Sequence, residues 1–370
     1  MIYFDNAATT FPKPKCVVKE VNKCIRHYCG NPGRSTHIYA LKSSEEIYRA
    51  RESVTELFNF NSPENVIFTQ NATHGLNIAI KGLVNDKMDV IISDLEHNSV
   101  IRPLSKAISK HNGTISVYNS DIDIEEAILP LIKDNTRVLI STLSSNVTGK
   151  VINPYTLSKI AQSHHLKLIL DASQYAGHLP LDLSKCKFDY LIAPGHKALF
   201  GLQGSGILVM SGETNIDTLI EGGGGYDTLN ADMPALLPER FEAGTPPTPS
   251  IVGLRCGIDF ILKTGQENIL NKLDMLTNRA FDVLSEIRTL KIYGAENGIV
   301  SFKLDNTPSG TTAEVLSRAG IACRSGLHCS PLIHKKLGTV NGGLVRISFS
   351  YFNTIKEIEK LYKALKAEGK

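Results

Sequence analysis

Five short apolar runs in this 370-residue chain stop at side chains able to do chemistry. VIFT (66–69) is followed by Asn71, Ala72, Thr73, His74 and Gly75, and VIIS (90–93) by Asp94, Leu95, Glu96 and His97. RVLIST (137–142) leads into Ser144, Ser145, Asn146 and the turn ending at Gly149. LKLIL (166–170) ends in Asp171, Ala172, Ser173 and Gln174, and FDYLIA (188–193) in Pro194, Gly195, His196 and Lys197. Singly, such an Asp reads as a helix cap, such a His as a core residue and such a Lys as a surface charge. Together they deliver a hydroxyl, an imidazole, an amide, a carboxylate and an amine. If the runs are parallel strands, these groups meet at one edge, because open parallel sheets bind ligands outside the strands' carboxyl ends.

That set is what a bound pyridoxal phosphate requires. Its phosphate needs hydroxyls and backbone N–H groups at a helix N-terminus, which Thr73 would provide. Its ring works as an electron sink only while the pyridine nitrogen stays protonated, so a buried carboxylate such as Asp171 has to face it. Its aldehyde needs a lysine amine, and Lys197 sits on the neighbouring run end. An imidazole such as His97 can stack on the ring.

The elements that must position these groups are legible from the pattern. Strand-like runs are 66–69, 89–93, 114–118, 137–142, 166–171, 188–193 and 207–210, mostly without alternation, as expected of strands buried on both faces. Helical stretches 73–82, 99–111 and 154–164 lie between them, the last with Pro154 at its start. This predicts an α/β fold with a mostly parallel seven-stranded sheet sandwiched by helices. Residues 221–250 are too rich in Gly and Pro for regular structure and close the large unit. Long helices over 251–263 and 266–289 follow, then a smaller α+β unit with strands at 298–304, 320–323 and 344–349 and a closing helix at 354–367.

Composition narrows the class of function. Hydrophobic residues are 42% and charged residues 21%, which excludes a disordered chain or a coiled coil. No apolar run approaches the ~20 residues of a bilayer span, so no membrane partner is expected. A net charge of +3, evenly spread, is no nucleic-acid footprint. Seven scattered cysteines and a start without a basic-then-apolar signal region fit a cytoplasmic protein with free thiols.

The ordered set YFDNAATT (3–10), GNPGRSTH (30–37), DLEHNSV (94–100), LSSNVTGK (143–150), DASQYAGH (171–178), GHKALFGLQGSG (195–206), FEAGTPPTPS (241–250) and RSGLHCSP (324–331) resembles cysteine desulfurases. These belong to the fold-type I, class V aminotransferase-like superfamily of pyridoxal-phosphate enzymes. The resemblance implies Lys197 as the Schiff-base lysine, Asp171 as the pyridinium partner, His97 as the ring-stacking residue and Gln174 as donor to the phenolic oxygen. It implies Thr73 and His196 on the phosphate, with Thr245 reaching the phosphate of the other subunit in a homodimer. Asn146 and Arg346 would grip the substrate carboxylate, and Arg324 would stand at the mouth of the site. An Arg fork suits a carboxylate better than a Lys does. Residues 1–15 would pack with the small domain, 16–250 form the large cofactor-binding domain, and 251–370 the small domain carrying the cysteine loop. Relatives usually offer a hydroxyl where Pro194 and Ala72 stand, so backbone N–H groups are left to compensate on the phosphate.

Cys329 aligns with the family's nucleophilic cysteine and precedes Arg346 by 17 positions. That short spacing is similar to the second group of desulfurases, which includes the selenocysteine lyases. Cation neighbours such as Arg324 favour a thiolate. Cys16, Cys24, Cys29, Cys186 and Cys256 read as small buried hydrophobes, and Cys323 as structural. The expected reaction is L-cysteine to L-alanine, with sulfur carried as a persulfide on Cys329 to an acceptor protein or thiol. Selenocysteine lyase, or another C–S or C–Se lyase, is the alternative. Iron–sulfur cluster assembly, tRNA thiolation and cofactor synthesis are all open as destinations. A non-catalytic scaffold would have lost Lys197 or Asp171, and the glycines at 195–206 lack the G-x-G-x-x-G of a nucleotide fold.

Overall fold

The computed structural model describes every residue except 34, 213, 369 and 370, so Arg34 of the GNPGRSTH motif lies outside the described residues. The chain begins with β1 (Ile2–Tyr3), α1 (Lys15–His27) and α2 (Ile38–Phe58). It then alternates through β2 (Val66–Thr69), α3 (Ala72–Leu83), β3 (Asp89–Ser93), α4 (Asn98–His111), β4 (Thr114–Tyr118), α5 (Ile124–Ile128) and β5 (Thr136–Thr142). Next come α6 (Pro154–Ser163), β6 (Lys167–Asp171), β7 (Tyr190–Pro194) and β8 (Gly206–Met210). The remainder is α7 (Thr248–Thr264), α8 (Gln266–Ser285), β9 (Leu290–Glu296), β10 (Ile299–Leu304) and α9 (Ser309–Arg318). It closes with β11 (Ile321–Ala322), β12 (Arg324–Gly326), α10 (Pro331–Lys336), β13 (Leu344–Ser348) and α11 (Ile355–Glu368).

Seven strands form the large sheet, in the order β2-β8-β7-β6-β5-β3-β4. Its strands read as continuous apolar runs because both faces are covered. Ile67, Ile92, Ile140, Ile169, Ile192 and Leu208 point to a core shared with α3 and α4. Their neighbours Phe68, Ile91, Leu139, Leu170, Leu191 and Val209 point to the opposite core, shared with α2, α6 and α7. A fully buried Leu or Ile contributes roughly 2 kcal/mol, so this double layer dominates the fold's stabilisation. Only β8 runs against its neighbours, antiparallel to both β2 and β7. The carboxyl ends of β2, β3, β5, β6 and β7 therefore share one edge.

A second, antiparallel sheet has the order β12-β13-β10-β9, and β1 pairs in parallel with β11. Register places Arg324 directly opposite Arg346 across β12 and β13. The structure corrects several sequence expectations. The helix expected to reach residue 289 ends at Ser285 and the chain re-enters as β9. The strand expected at 320–323 shortens to Ile321–Ala322. Helices α1 and α2 and strands β9 and β12 are not in the sequence reading at all. No helix among the described residues is long and apolar enough to cross a membrane.

Candidate active site

Most of the expected groups meet in one cavity of about 230 Å³ at the shared strand edge. Its wall takes Ala72, Thr73, His97 and Asn146 from the ends of β2, β3 and β5. Asp171, Gln174, His196 and Lys197 come from β6 and β7, and Arg324 and Arg346 from the second sheet. Cys329 lines an adjoining groove that shares Thr73, His97 and Ser99 with the cavity. Thr245 lines neither.

The local chain explains each placement. Asn71 caps α3 by accepting the His74 N–H at 2.9 Å, so the N–H groups of Ala72 and Thr73 begin the helix without intrahelical partners. They form an anion cradle on the positive end of the helix dipole. Lys197 follows β7 in a loop drawn tightly onto the start of β8. A Cβ on Gly195 would stand 2.3 Å from Ser205 Oγ and 3.1 Å from the Ser205 carbonyl, so a side chain there would displace the Ser205 hydroxyl. Burial pushes the Lys197 ammonium down to about 8, with Arg346 and Arg324 acting in the same sense and Asp171 opposing. Asp171 closes β6, accepts the Ser173 N–H at 2.9 Å and is raised by burial.

His97 is the N-cap of α4, and its Nδ1 faces Ser99 N at 3.1 Å and Ser99 Oγ at 2.8 Å. Accepting a backbone N–H leaves the ring proton on Nε2. Burial first, then Lys197 and three arginines, pushes this imidazole down to about 4, so it is a neutral ring. Its preceding neighbour Glu96 is wholly buried, takes Ser93 Oγ and Thr142 N on one oxygen, and is raised by burial to about 8.

The N-terminal segment grips the Lys197 loop from outside. The His196 carbonyl accepts Thr10 N at 3.1 Å and Lys13 Nζ at 2.7 Å, and Thr10 Oγ1 also reaches the Lys197 carbonyl at 2.9 Å. Gln174 Nε2 donates to the Ala7 carbonyl at 2.8 Å. Ala7 and Thr10 stand in YFDNAATT but were given no role in the sequence reading, and Lys13 does not figure in it, because their partners lie far along the chain.

Around Cys329 the structure departs from expectation. Asn146 does not hold its amide free: Nδ2 donates to the His328 carbonyl at 2.8 Å and Oδ1 accepts Ser330 Oγ at 2.6 Å. Asn98 N donates to the Cys329 carbonyl at 2.7 Å. These bonds hold His328 and Cys329 at φ of 51° and 59°, the left-handed region that non-glycine residues avoid. The Cys329 thiol is exposed, with Arg324 Nη2 at 3.9 Å. Behind it the buried His328 ring stacks on His334, centroids 5.6 Å apart, and burial pushes His328 down to about 2. Arg346 is fully buried, with Nη2 on Asp5 at 2.9 Å and Nη1 on the Asn146 carbonyl at 2.8 Å. Asp5 is a second group the sequence reading missed; its only sign was its place in YFDNAATT. Among the other cysteines, Cys24, Cys186 and Cys256 are buried, but Cys16 and Cys29 are exposed, contrary to expectation.

The residues fit pyridoxal phosphate. Buried polar atoms without a protein partner include His196 Nδ1 and Arg346 Nε, both on residues of the cavity wall. With the open N–H groups of α3 they suit an anion, while Asp171 and Lys197 supply the carboxylate and amine. Thr245 sits on a loop fixed by Glu242, whose carboxylate takes Arg51 Nη2 at 2.7 Å and Phe68 N at 2.6 Å.

Residues 2–361 match the family model for class V aminotransferases. A probable cysteine desulfurase of Methanothermobacter thermautotrophicus is 31% identical, covering 98% of this chain and 94% of that protein. A cysteine desulfurase of Salmonella agona is 28% identical, covering 99% of this chain and 92% of that protein. The apo cysteine desulfurase from Thermococcus onnurineus NA1 superposes with a TM-score of 0.91 at 27% identity, over 99% of this chain and 94% of that one.

Proposed function

Because the chain belongs to the class V aminotransferase family and, within it, to the cysteine desulfurases, we propose that it converts L-cysteine to L-alanine and carries the sulfur away on Cys329. One observation supports this most: a thiol beside a guanidinium, in a groove that shares His97 with the Lys197 cavity. When bound, pyridoxal phosphate supplies the electron sink that loosens the substrate's Cα proton and its Cβ–S bond. Lys197 and Asp171 would hold it at the aldehyde and pyridine ends, Ala72, Thr73 and His196 at the phosphate, and His97 against the ring face.

Lys197, held near 8, can take the substrate's Cα proton and return it. Arg346 orients the substrate through its carboxylate, which meets a guanidinium already leaning on Asp5. Asn146 holds the cysteine loop, in place of the carboxylate-gripping role implied by the resemblance. The Cys329 thiolate attacks the substrate sulfur and forms an S–S bond. The Cβ–S bond breaks, its electron pair returns to Cβ, and a proton there completes the methyl group of alanine. The acceptor then removes the outer sulfur. The relatives' names favour cysteine over selenocysteine. We also read the protein as a homodimer in which Thr245, on its Glu242-anchored loop, completes the partner's phosphate site. Its sulfur passes to an acceptor thiol, with iron–sulfur cluster assembly one destination.

The test is Cys329→Ala in the holoenzyme, with Cys323→Ala as control. The variant keeps the cofactor's visible band and shifts it when L-cysteine is added, since Lys197, Asp171 and Arg346 are untouched, yet makes almost no alanine. In wild type without reductant, mass spectrometry finds one extra sulfur on the Cys329 peptide. Near-normal alanine production by Cys329→Ala would sink this reading.

A further inference from the structure

The groove beside Cys329 carries more positive charge than a zwitterionic amino acid calls for. It holds about 350 Å³, and its wall includes Lys81, Arg102 and Lys106 but no carboxylate. Lys81 lies in the last turn of α3, and Arg102 and Lys106 stand one turn apart on α4. The two helices pack side by side, with Leu76, Ala79 and Ile80 of one and Val100, Leu104 and Ile108 of the other in the same buried core, so the cations rim a trough between them. All three are exposed, and none is in an ion pair among the described residues. A one-signed concave surface concentrates oppositely charged ligands. The volume suits a small molecule, since such sites span roughly 300–1,000 Å³.

We propose that this groove receives the sulfur acceptor, and that the acceptor is a low-molecular-weight thiol bearing two or more carboxylates, of di- or tripeptide size. The inference rests on the persulfide reading of Cys329. In the transfer, the acceptor thiolate attacks the outer sulfur and forms a new S–S bond. The bond to Cys329 breaks and its electron pair stays on the Cys329 sulfur, so the step is redox-neutral and needs no further reagent. Lys81, Arg102 and Lys106 hold the acceptor's carboxylates, and the substrate's single carboxylate is left to Arg346.

The experiment loads holoenzyme with L-cysteine without added thiol and measures the extra sulfur on Cys329 by mass spectrometry. Loaded enzyme is then mixed with cysteamine, 2-mercaptoethanol, mercaptosuccinate or glutathione, and sulfur loss is timed and corrected for each thiol's thiolate fraction. At low salt the two polycarboxylate thiols outrun the neutral one by ~10-fold, the lower end of electrostatic steering, and the cationic thiol is slowest. The preference shrinks at high salt and disappears in Lys81→Glu/Arg102→Glu/Lys106→Glu, whose sulfur loading stays within about twofold of wild type. Rates that follow thiolate fraction alone, or a preference that survives the triple reversal, overturn the proposal. Absence of the extra sulfur on wild-type Cys329 overturns the persulfide reading, and this proposal with it.

Discussion

Asn146 separates what the structure assigns from what the family resemblance implies. Its side chain bonds the chain on both sides of Cys329, at 2.8 Å to the His328 carbonyl and 2.6 Å from Ser330 Oγ. Those bonds hold two adjacent non-glycine residues in the left-handed region, at φ of 51° and 59°. Each such residue costs roughly 1–2 kcal/mol. Asn146→Ala removes both bonds and strands two partners that are 3% and 0% exposed as residues. At about 1–2 kcal/mol for each stranded group, the loss is about 2–4 kcal/mol. This corresponds to ~30-fold at the low end and close to ~900-fold at the high end. Water from the open groove can solvate part of the loop, so the low end is expected, ~30-fold in the single-turnover rate of sulfur loading at saturating L-cysteine. Cofactor absorbance and KM should change little. Ser330→Ala removes one of the bonds and should slow the same step by ~5-fold, from about 1 kcal/mol. If Asn146 instead gripped the substrate carboxylate, its Ala variant would raise KM, keep the saturated loading rate, and leave Ser330→Ala silent. That outcome would refute the loop assignment.

Lys197 sets a pH dependence. Its pKa is lowered from 10.5 to about 8, so below about 8 the buried amine is protonated and cannot add to an aldehyde. Capture of pyridoxal phosphate by apo-protein, followed by absorbance, should rise about tenfold per pH unit below that point and level off above it; a flat profile from pH 6 to 9 would refute the lowered value. The same shift means the folded protein gains stability as pH rises from about 8 toward 10.5, where only the unfolded chain still binds this proton. Glu242→Ala strands Arg51, 7% exposed in its side chain, and should cost about 3–5 kcal/mol in urea unfolding of the holoenzyme, against much less for a paired Arg51→Leu/Glu242→Leu change; a loss under about 1 kcal/mol contradicts the buried-pair account. Light scattering should show a dimer, and a monomer that binds cofactor tightly and turns over excludes the role given to Thr245.

The sequence by itself determined the sheet and the chemistry at its edge. A strand covered on both faces has an unbroken apolar middle, so Val66–Thr69, Asp89–Ser93 and Lys167–Asp171 announce themselves without any partner. Parallel direction then carries Thr73, His97, Asp171 and Lys197 to one edge. Elements that do not bury both faces were illegible: β9 and β12 are half-exposed along their length, and their pairing comes from β10 and β13. Strand direction was illegible too, since nothing in Gly206–Met210 says that β8 runs against its neighbours. Only the tertiary structure decided which charges face one another. Arg346 meets Asp5 across 341 positions, Asn146 meets Ser330 across 184, and Lys81, Arg102 and Lys106 form no ion pair among the described residues. Apolar burial is written residue by residue in local composition, whereas the partner of a charge or an amide is fixed by whichever distant segment the packed core brings within about 3 Å.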